Sequence, residues 1–297
     1  MSPELVRNVA GYAVVALGSL VWYVGYLWWW NPERRRADVE KWSMRHMAAW
    51  DARWQEPIER QLKADVRVDL IWVFLLCGVL QGVPTSGKAY VACLVAIPGV
   101  VTTFNGLAFT RIPLPPGTRV ARLRELTLTD YLPDRTRWLM WASAAAGCLA
   151  CVVLGAATGR WVVGASGGLL LLMPLTVEYA GSRLAHLPEP ADSAALLYVQ
   201  DAFRSDIIRS AAVRSSLGAA IASVLVAWAL VVEHPGWVPV VLLGVGGLLV
   251  VCLCLQGSDF RHTPAAYMRS RLWPALTPHQ VIRPGDALPV PATVSSC

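Results

Sequence analysis

Seven stretches of the chain are long and almost wholly apolar: 9–30, 66–83, 89–109, 138–157, 161–180, 215–232 and 237–256. A helix needs about 20 apolar residues to cross a hydrocarbon core about 30 Å thick. No water satisfies the backbone inside lipid, so each stretch must close its own hydrogen bonds, and a helix does so within one segment. The expected class is therefore all-α: a polytopic helical membrane protein with about seven transmembrane helices. The second stretch has the shortest clean core, because Arg67 and Asp69 crowd its start.

Composition points the same way. The chain is 55% hydrophobic and only 15% charged, where soluble domains carry about 25% charged residues. The first stretch is too long for the apolar region of a signal peptide and ends on Trp28-Trp29-Trp30 instead of small residues, so it is expected to remain as a span. The net charge of +6 would suit nucleic acid or a membrane surface, and the placement of the charges decides for the membrane. Of 26 basic residues, all but Arg7, Lys88, Arg160 and Arg67 at the start of the second stretch lie in the segments that follow the first, third, fifth and seventh stretches. Short basic loops stay cytoplasmic. This places the N-terminus outside and the C-terminus inside, with very little protein on the outer side. Arg outnumbers Lys heavily and Ala, Val and Leu are abundant, a composition typical of high-GC bacteria. The expected location is the bacterial plasma membrane, and no nucleic-acid partner is expected.

After the first span the pattern forms three helical hairpins, beginning near Asp69, Trp138 and Ser215, each preceded by a polar segment. Recurrence of this kind suggests an internal repeat. Asp130 and Asp134 precede Arg137, and Asp201 and Asp206 precede Arg209. The hairpins end on Arg111, Arg183 and Arg261. Arg at inner helix ends is also what the positive-inside rule alone produces.

One transmembrane domain, 1–276, is expected, with a Pro-rich tail over 277–297. Within the domain, residues 33–65 form a candidate amphipathic helix. At helical spacing Val39, Trp42, His46, Met47, Trp50 and Trp54 share a face, with Arg34, Arg35, Lys41 and Arg45 mostly elsewhere. Such a face suits the lipid headgroup region or the inner ends of the bundle.

Several motifs resemble chemistry and lack its partners. Gly82-Val-Pro-Thr-Ser-Gly-Lys88-Ala89 nearly spells a phosphate-binding loop, but Ala89 stands where Ser or Thr must hold Mg²⁺. Gly164-Ala-Ser166-Gly-Gly168 carries the GxSG of rhomboid proteases, yet no His lies at membrane depth to activate Ser166. Gly164-x₃-Gly168 also makes a seam for close helix packing, the favoured reading. Cys148-x₂-Cys151 has no further Cys or His nearby in sequence, whereas zinc needs three or four such ligands. The row Ser143, Gly147, Cys151 again suggests a helix contact. No metal site, haem or other cofactor is expected, and the seven cysteines imply no disulfide framework.

Ionisable residues inside spans are functional candidates by default. Glu178, following Pro174, is the clearest. Asn105 and Gln256 lie at similar depth, and with Asp69, Arg111, Arg183 and Arg261 they would line a polar cytoplasmic vestibule. The structural alternative has Glu178 reaching the interface or pairing with Arg183. Trp28, Trp29, Trp30, Trp138, Trp161 and Trp237 mark an aromatic belt.

The segments Leu114-Pro-Pro-Gly-Thr-Arg-Val-Ala-Arg-Leu-Arg124…Asp130-Tyr-Leu-Pro133 and Leu196…Asp201-Ala-Phe-Arg204…Arg209-Ser-Ala-Ala-Val213 resemble parts of uncharacterised actinobacterial multi-spanning membrane proteins. The resemblance implies a helical membrane fold and a bacterial origin, and carries no assigned activity.

No motif names a reaction. The expected role is an integral membrane accessory or scaffold protein that docks a cytoplasmic or membrane protein partner through basic inner segments. The competing roles are a hairpin-repeat transporter or flippase-like carrier, which needs a polar site at mid-bilayer, and an enzyme acting on a lipid or isoprenoid at the cytoplasmic face, with Glu178 or Asp69 as its acid. The last two imply a lipid-like ligand.

Overall fold

The structure, a computed structural model, describes residues 17, 20, 24, 31–49, 51, 52, 54–56, 58–60, 62, 63, 126–187, 191, 193–233, 236–262, 265–277, 279–284 and 286, without the side chains of 229, 232, 233 and 254–262. The second and third apolar stretches, and with them Asp69, Asn105 and Arg111, lie outside the described residues. Of the first stretch only Leu17, Leu20 and Val24 are described, all helical and exposed.

The described chain is helical throughout its ordered elements: α1 (Pro32–Arg45), α2 (Leu128–Tyr131), α3 (Asp134–Thr158), α4 (Trp161–Ala185), α5 (Ala194–Glu233), α6 (Trp237–His262) and α7 (Ala266–Leu272). Local chemistry sets their ends. Asn31 caps α1 by accepting from the Arg34 backbone N–H at 3.0 Å, and proline stands in the first turn, where its missing N–H costs nothing. Pro133 separates α2 from α3. Gly159, with φ of 67°, closes α3 in the left-handed conformation and starts the turn into α4.

Among the described residues, three helical runs are long and apolar enough to cross a membrane: Asp134–Thr158, Trp161–Ala185 and Ala194–Trp228. Trp237–Leu253 adds a shorter apolar run within α6. α3 packs against both α4 and α5, and α6 lies along α5. The contact face of α3 is made of small and flexible residues, Met140, Ala144, Ala150, Cys151 and Leu154, all buried. Trp138 stands exposed at one end of α3, while Trp161 and Trp237 stand exposed at the other ends of their hairpins. The 21 residues from Trp138 to Thr158 rise about 30 Å, one hydrocarbon thickness.

α5 departs from the sequence expectation. The polar segment before the sixth stretch is not a connection but the first half of a 40-residue helix. Forty residues rise about 60 Å, twice the hydrocarbon core. Asp201, Arg204, Asp206 and Arg209 on its first half keep that half out of lipid, and 215–232 is the apolar half. Beside the first half lies a polar layer built from α1, α2, α7 and the start of the tail.

α1 also differs from the single helix expected over 33–65. It ends at Arg45, and Met47 takes a positive φ of 53°. Residues 52, 54–56, 58–60, 62 and 63 are helical again. The tail begins docked: Ile282 is buried and pairs in parallel with Ala48, its N–H donating to the Met47 carbonyl at 2.8 Å and its carbonyl accepting from Ala49 at 2.6 Å.

Candidate functional site

Glu178 sits in the last two turns of α4, where it faces α3. Arg137 Nε donates to Glu178 Oε1 at 2.6 Å and Trp141 Nε1 donates to the same oxygen at 2.8 Å. Arg137 and Trp141 are one helical turn apart on α3, so both reach a single acceptor. The expected pairing with Arg183 does not occur. Arg183 folds over its own Tyr179 instead, 5.6 Å from the ring centroid. The reason is position: five residues along a helix rotate Arg183 away from Glu178, while the facing helix supplies a donor at the right height.

Beside this triad a groove of about 590 Å³ runs along α3, lined by Asp134, Arg137, Trp138, Trp141, Ala142 and Ala145. Charges stand at its mouth, and its floor is indole and alanine.

The polar layer holds the second concentration of chemistry. Asp201 is fully buried and accepts from Tyr131 Oη at 2.9 Å and Trp273 Nε1 at 2.7 Å. It thereby ties α2, α5 and the end of α7 together. Tyr198, one turn away, donates from its hydroxyl to the His46 carbonyl at 2.7 Å, and burial pushes that hydroxyl up to about 12. Trp42 stacks between His46 and Phe203, with centroids at 4.0 and 4.6 Å, and its indole N–H donates to Asp206 at 3.0 Å. His46 Nε2 lies 3.7 Å from the same carboxylate. Burial works against a charge on Asp206, but His46, the Trp42 indole and Arg209 outweigh it and hold the carboxyl below its usual range. Arg269, also buried, donates to the carbonyls of Thr277 and Gln280 and so fastens the tail. The apolar Trp face expected over 33–65 thus turns into protein: Val39 and Trp42 of α1, and Trp54 beyond it, are all buried.

The structure brings few of the expected vestibule residues together. Glu178 and Arg183 are both on α4, with separate partners. Gln256 and Arg261 lie in α6, with side chains outside the described set. Asp201, Tyr131, Trp273, Tyr198 and Arg269 were not singled out as a cluster by spacing. Asp201 and Asp206 enter the acid-then-Arg pattern as a sign of repetition, and Tyr131 and Asp201 lie in the segments that carry the resemblance.

The motifs behave as packing elements. The Ser166 hydroxyl donates to the Val163 carbonyl of its own helix at 2.6 Å. The seam takes in Gly164, whose backbone N a Cβ on Gly155 would strike at 2.7 Å, but continues through Gly167 and not Gly168. A Cβ on Gly167 would fall 2.8 Å from Cys151 Cβ, whereas one on Gly168 would meet nothing within 4 Å. Cys148 and Cys151 are free thiols, and no group of His, Cys, Asp or Glu among the described residues is arranged to hold a metal ion. Compared with known proteins, the chain matches no family model, no curated protein and no solved structure.

Proposed function

We propose that the chain is an accessory or scaffold protein of the bacterial plasma membrane, with about seven spans, its N-terminus outside and its C-terminus inside. In this reading the polar layer is a cytoplasmic platform for a partner protein. One observation carries it: the charged segments fold on themselves into a packed layer around Asp201 and Asp206, and the outer side of that layer presents cations. Val39 and Trp42 of α1 face inward, so Arg34, Lys41, Met44 and Arg45 are exposed on its outer side. The C-terminal end of α1 bonds α5 at Tyr198 through His46 and at Asp206 through Trp42, 17 and nine residues before Ser215, or about 14–25 Å from the apolar half of α5. Surface charge is screened within about 8 Å at physiological salt, so this reading assigns these cations to a protein partner.

The test has two parts. Reporter fusions at residue 233 and at the C-terminus should place them on opposite sides of the membrane. Reversal of Lys41 and Arg45 to Glu should release any protein that copurifies stoichiometrically with the full chain from membranes, without altering its thermal unfolding. Both fusions on one side would sink the topology. A partner retained equally by wild type and the reversed variant would sink the platform.

A lipid-active enzyme is the second reading, favoured by the groove beside Glu178. It requires Glu178→Gln to abolish turnover of a lipid while the fold stays intact.

A further inference from the structure

The groove on α3 carries two opposite charges in one helical turn and then becomes apolar. Asp134 and Arg137 line its mouth, and Trp138, Trp141, Ala142 and Ala145 continue it along the same face. From Asp134 to Ala145 the helix rises about 16 Å, half of a 30 Å hydrocarbon core. The groove therefore runs the depth of a single leaflet.

The charges are available. Asp134 and Arg137 are exposed, and Arg137 engages Glu178 through Nε. Among the described residues its two terminal nitrogens have no hydrogen-bond partner, and Asp134 has no ion-pair partner within 4.0 Å. A guanidinium fork presents paired donors that match phosphate oxygens. A carboxylate one turn away, with Cβ atoms about 5–6 Å apart, accepts hydrogen bonds from an ammonium group. The exposed Trp138 indole beside them sits where interfacial Trp is favoured.

We propose that this groove binds one zwitterionic phospholipid with a primary ammonium headgroup, the phosphoethanolamine class. The phosphate sits on Arg137, the ammonium on Asp134, and an acyl chain lies along Trp141, Ala142 and Ala145. The inference rests on reading the chain as membrane-spanning and goes beyond the scaffold role. A purely anionic headgroup fits worse, because it has no ammonium to pair with Asp134 and leaves its phosphate charge unbalanced beside Asp134 and Glu178. A choline headgroup fits worse because its quaternary nitrogen has no N–H to donate to Asp134.

The experiment is native mass spectrometry of the full chain, purified in detergent and titrated with phosphatidylethanolamine, phosphatidylcholine or phosphatidylglycerol of identical acyl chains. Phosphatidylethanolamine should be retained about tenfold better than either, the ratio that one hydrogen-bonded charge contact of roughly 1.4 kcal/mol confers. Asp134→Asn should bring it level with phosphatidylcholine, and Asp134→Glu should keep the preference. Ala145→Trp, which fills the groove, should lower retention of all three. Equal retention of the three lipids by wild type, or an unchanged preference in Asp134→Asn, overturns the proposal. Recovery of the chain from the soluble fraction would instead overturn the membrane reading beneath it.

Discussion

Glu178 shows how a single charge is kept in an apolar helix. A charged side chain at the centre of a span costs about 2.5–3.5 kcal/mol on insertion scales. Here the carboxylate is near the end of α4 and receives two donors from α3, Arg137 and Trp141. The two partners are not equivalent in their dependence. Glu178→Gln leaves an amide oxygen to accept the same two bonds, and the released Arg137 is already partly exposed, so the loss should stay near 1 kcal/mol. Arg137→Leu leaves the carboxylate with the indole alone and should cost about 1–3 kcal/mol. The double change to Leu at both positions should recover part of that, since a removed pair costs less than a broken one. Thermal unfolding in detergent of the three variants checks the order. Midpoints at the wild-type value in both single variants would mean that the pair contributes nothing.

Asp206 makes a parallel case outside the membrane. Its folded carboxyl is held below the ordinary range by His46, Trp42 and Arg209 against the opposing effect of burial. A lowered folded value stabilises the fold above the ordinary carboxylate range, about 3.9, and this stabilisation is lost as pH falls through the lower folded value. Asp206→Asn should therefore lower the unfolding midpoint at pH 7 and make it less sensitive to acid than the wild type. Parallel pH curves for the two proteins would refute the assignment.

At the level of the element, the α3–α4 hairpin depends on which glycines meet the facing backbone. A side chain on Gly167 would press on Cys151 Cβ at 2.8 Å and on the Cys148 carbonyl at 2.9 Å, so Gly167→Val has no room without separating the helices. Gly168 faces open space, and Gly168→Ala should be neutral or stabilising by about 0.5–1 kcal/mol, the helix-interior penalty of glycine. Thermal unfolding of the pair should show a large loss at 167 and none at 168, and the reverse order would place the seam on the wrong face. The sequence revealed that a small-residue seam existed, because Gly, Ala and Ser recur at helical spacing in 143–168. It did not reveal the register, since Gly164, Gly167 and Gly168 all satisfy small-residue spacing and only the turn at Gly159 fixes how α4 sets against α3. Apolar length likewise made the fourth, fifth and sixth spans legible. The polar layer was not legible, because its contacts join residues far apart in sequence: Asp201 meets Tyr131 and Trp273, at separations of 70 and 72. No periodicity encodes such a meeting. Glu178 is legible as an acid inside an apolar stretch, but its donors on α3 are not, because sequence proximity offers only Arg183 as a pairing alternative.

Over the whole molecule, α5 joins two environments in one continuous rod. Its first half is the spine of the polar layer, with Tyr198 and Asp206 bonded to the end of α1 and Asp201 to α2. Its second half packs in the apolar bundle beside α3 and α6. The middle of the rod is packed through Ile207, Ile208, Ala211 and Ala212, so its continuity rests on that packing and on backbone hydrogen bonding. This makes the midpoint the place to separate the halves. Ser210, a partly exposed residue there, lies away from the buried contacts of Ile207, Ile208, Ala211 and Ala212. Proline at 210 removes one backbone donor and clashes with the carbonyl four residues earlier, at a cost of about 3 kcal/mol. If the rod transmits stability between layer and bundle, Ser210→Pro should open residues 204–214 to limited proteolysis in native membranes, while the hairpin of α3 and α4 stays protected. The wild type should resist cleavage there although half of α5 projects beyond the hydrocarbon. Equal protection of both proteins would show that the polar layer stands without the rod, and that its fold is carried by α1, α7 and the tail instead.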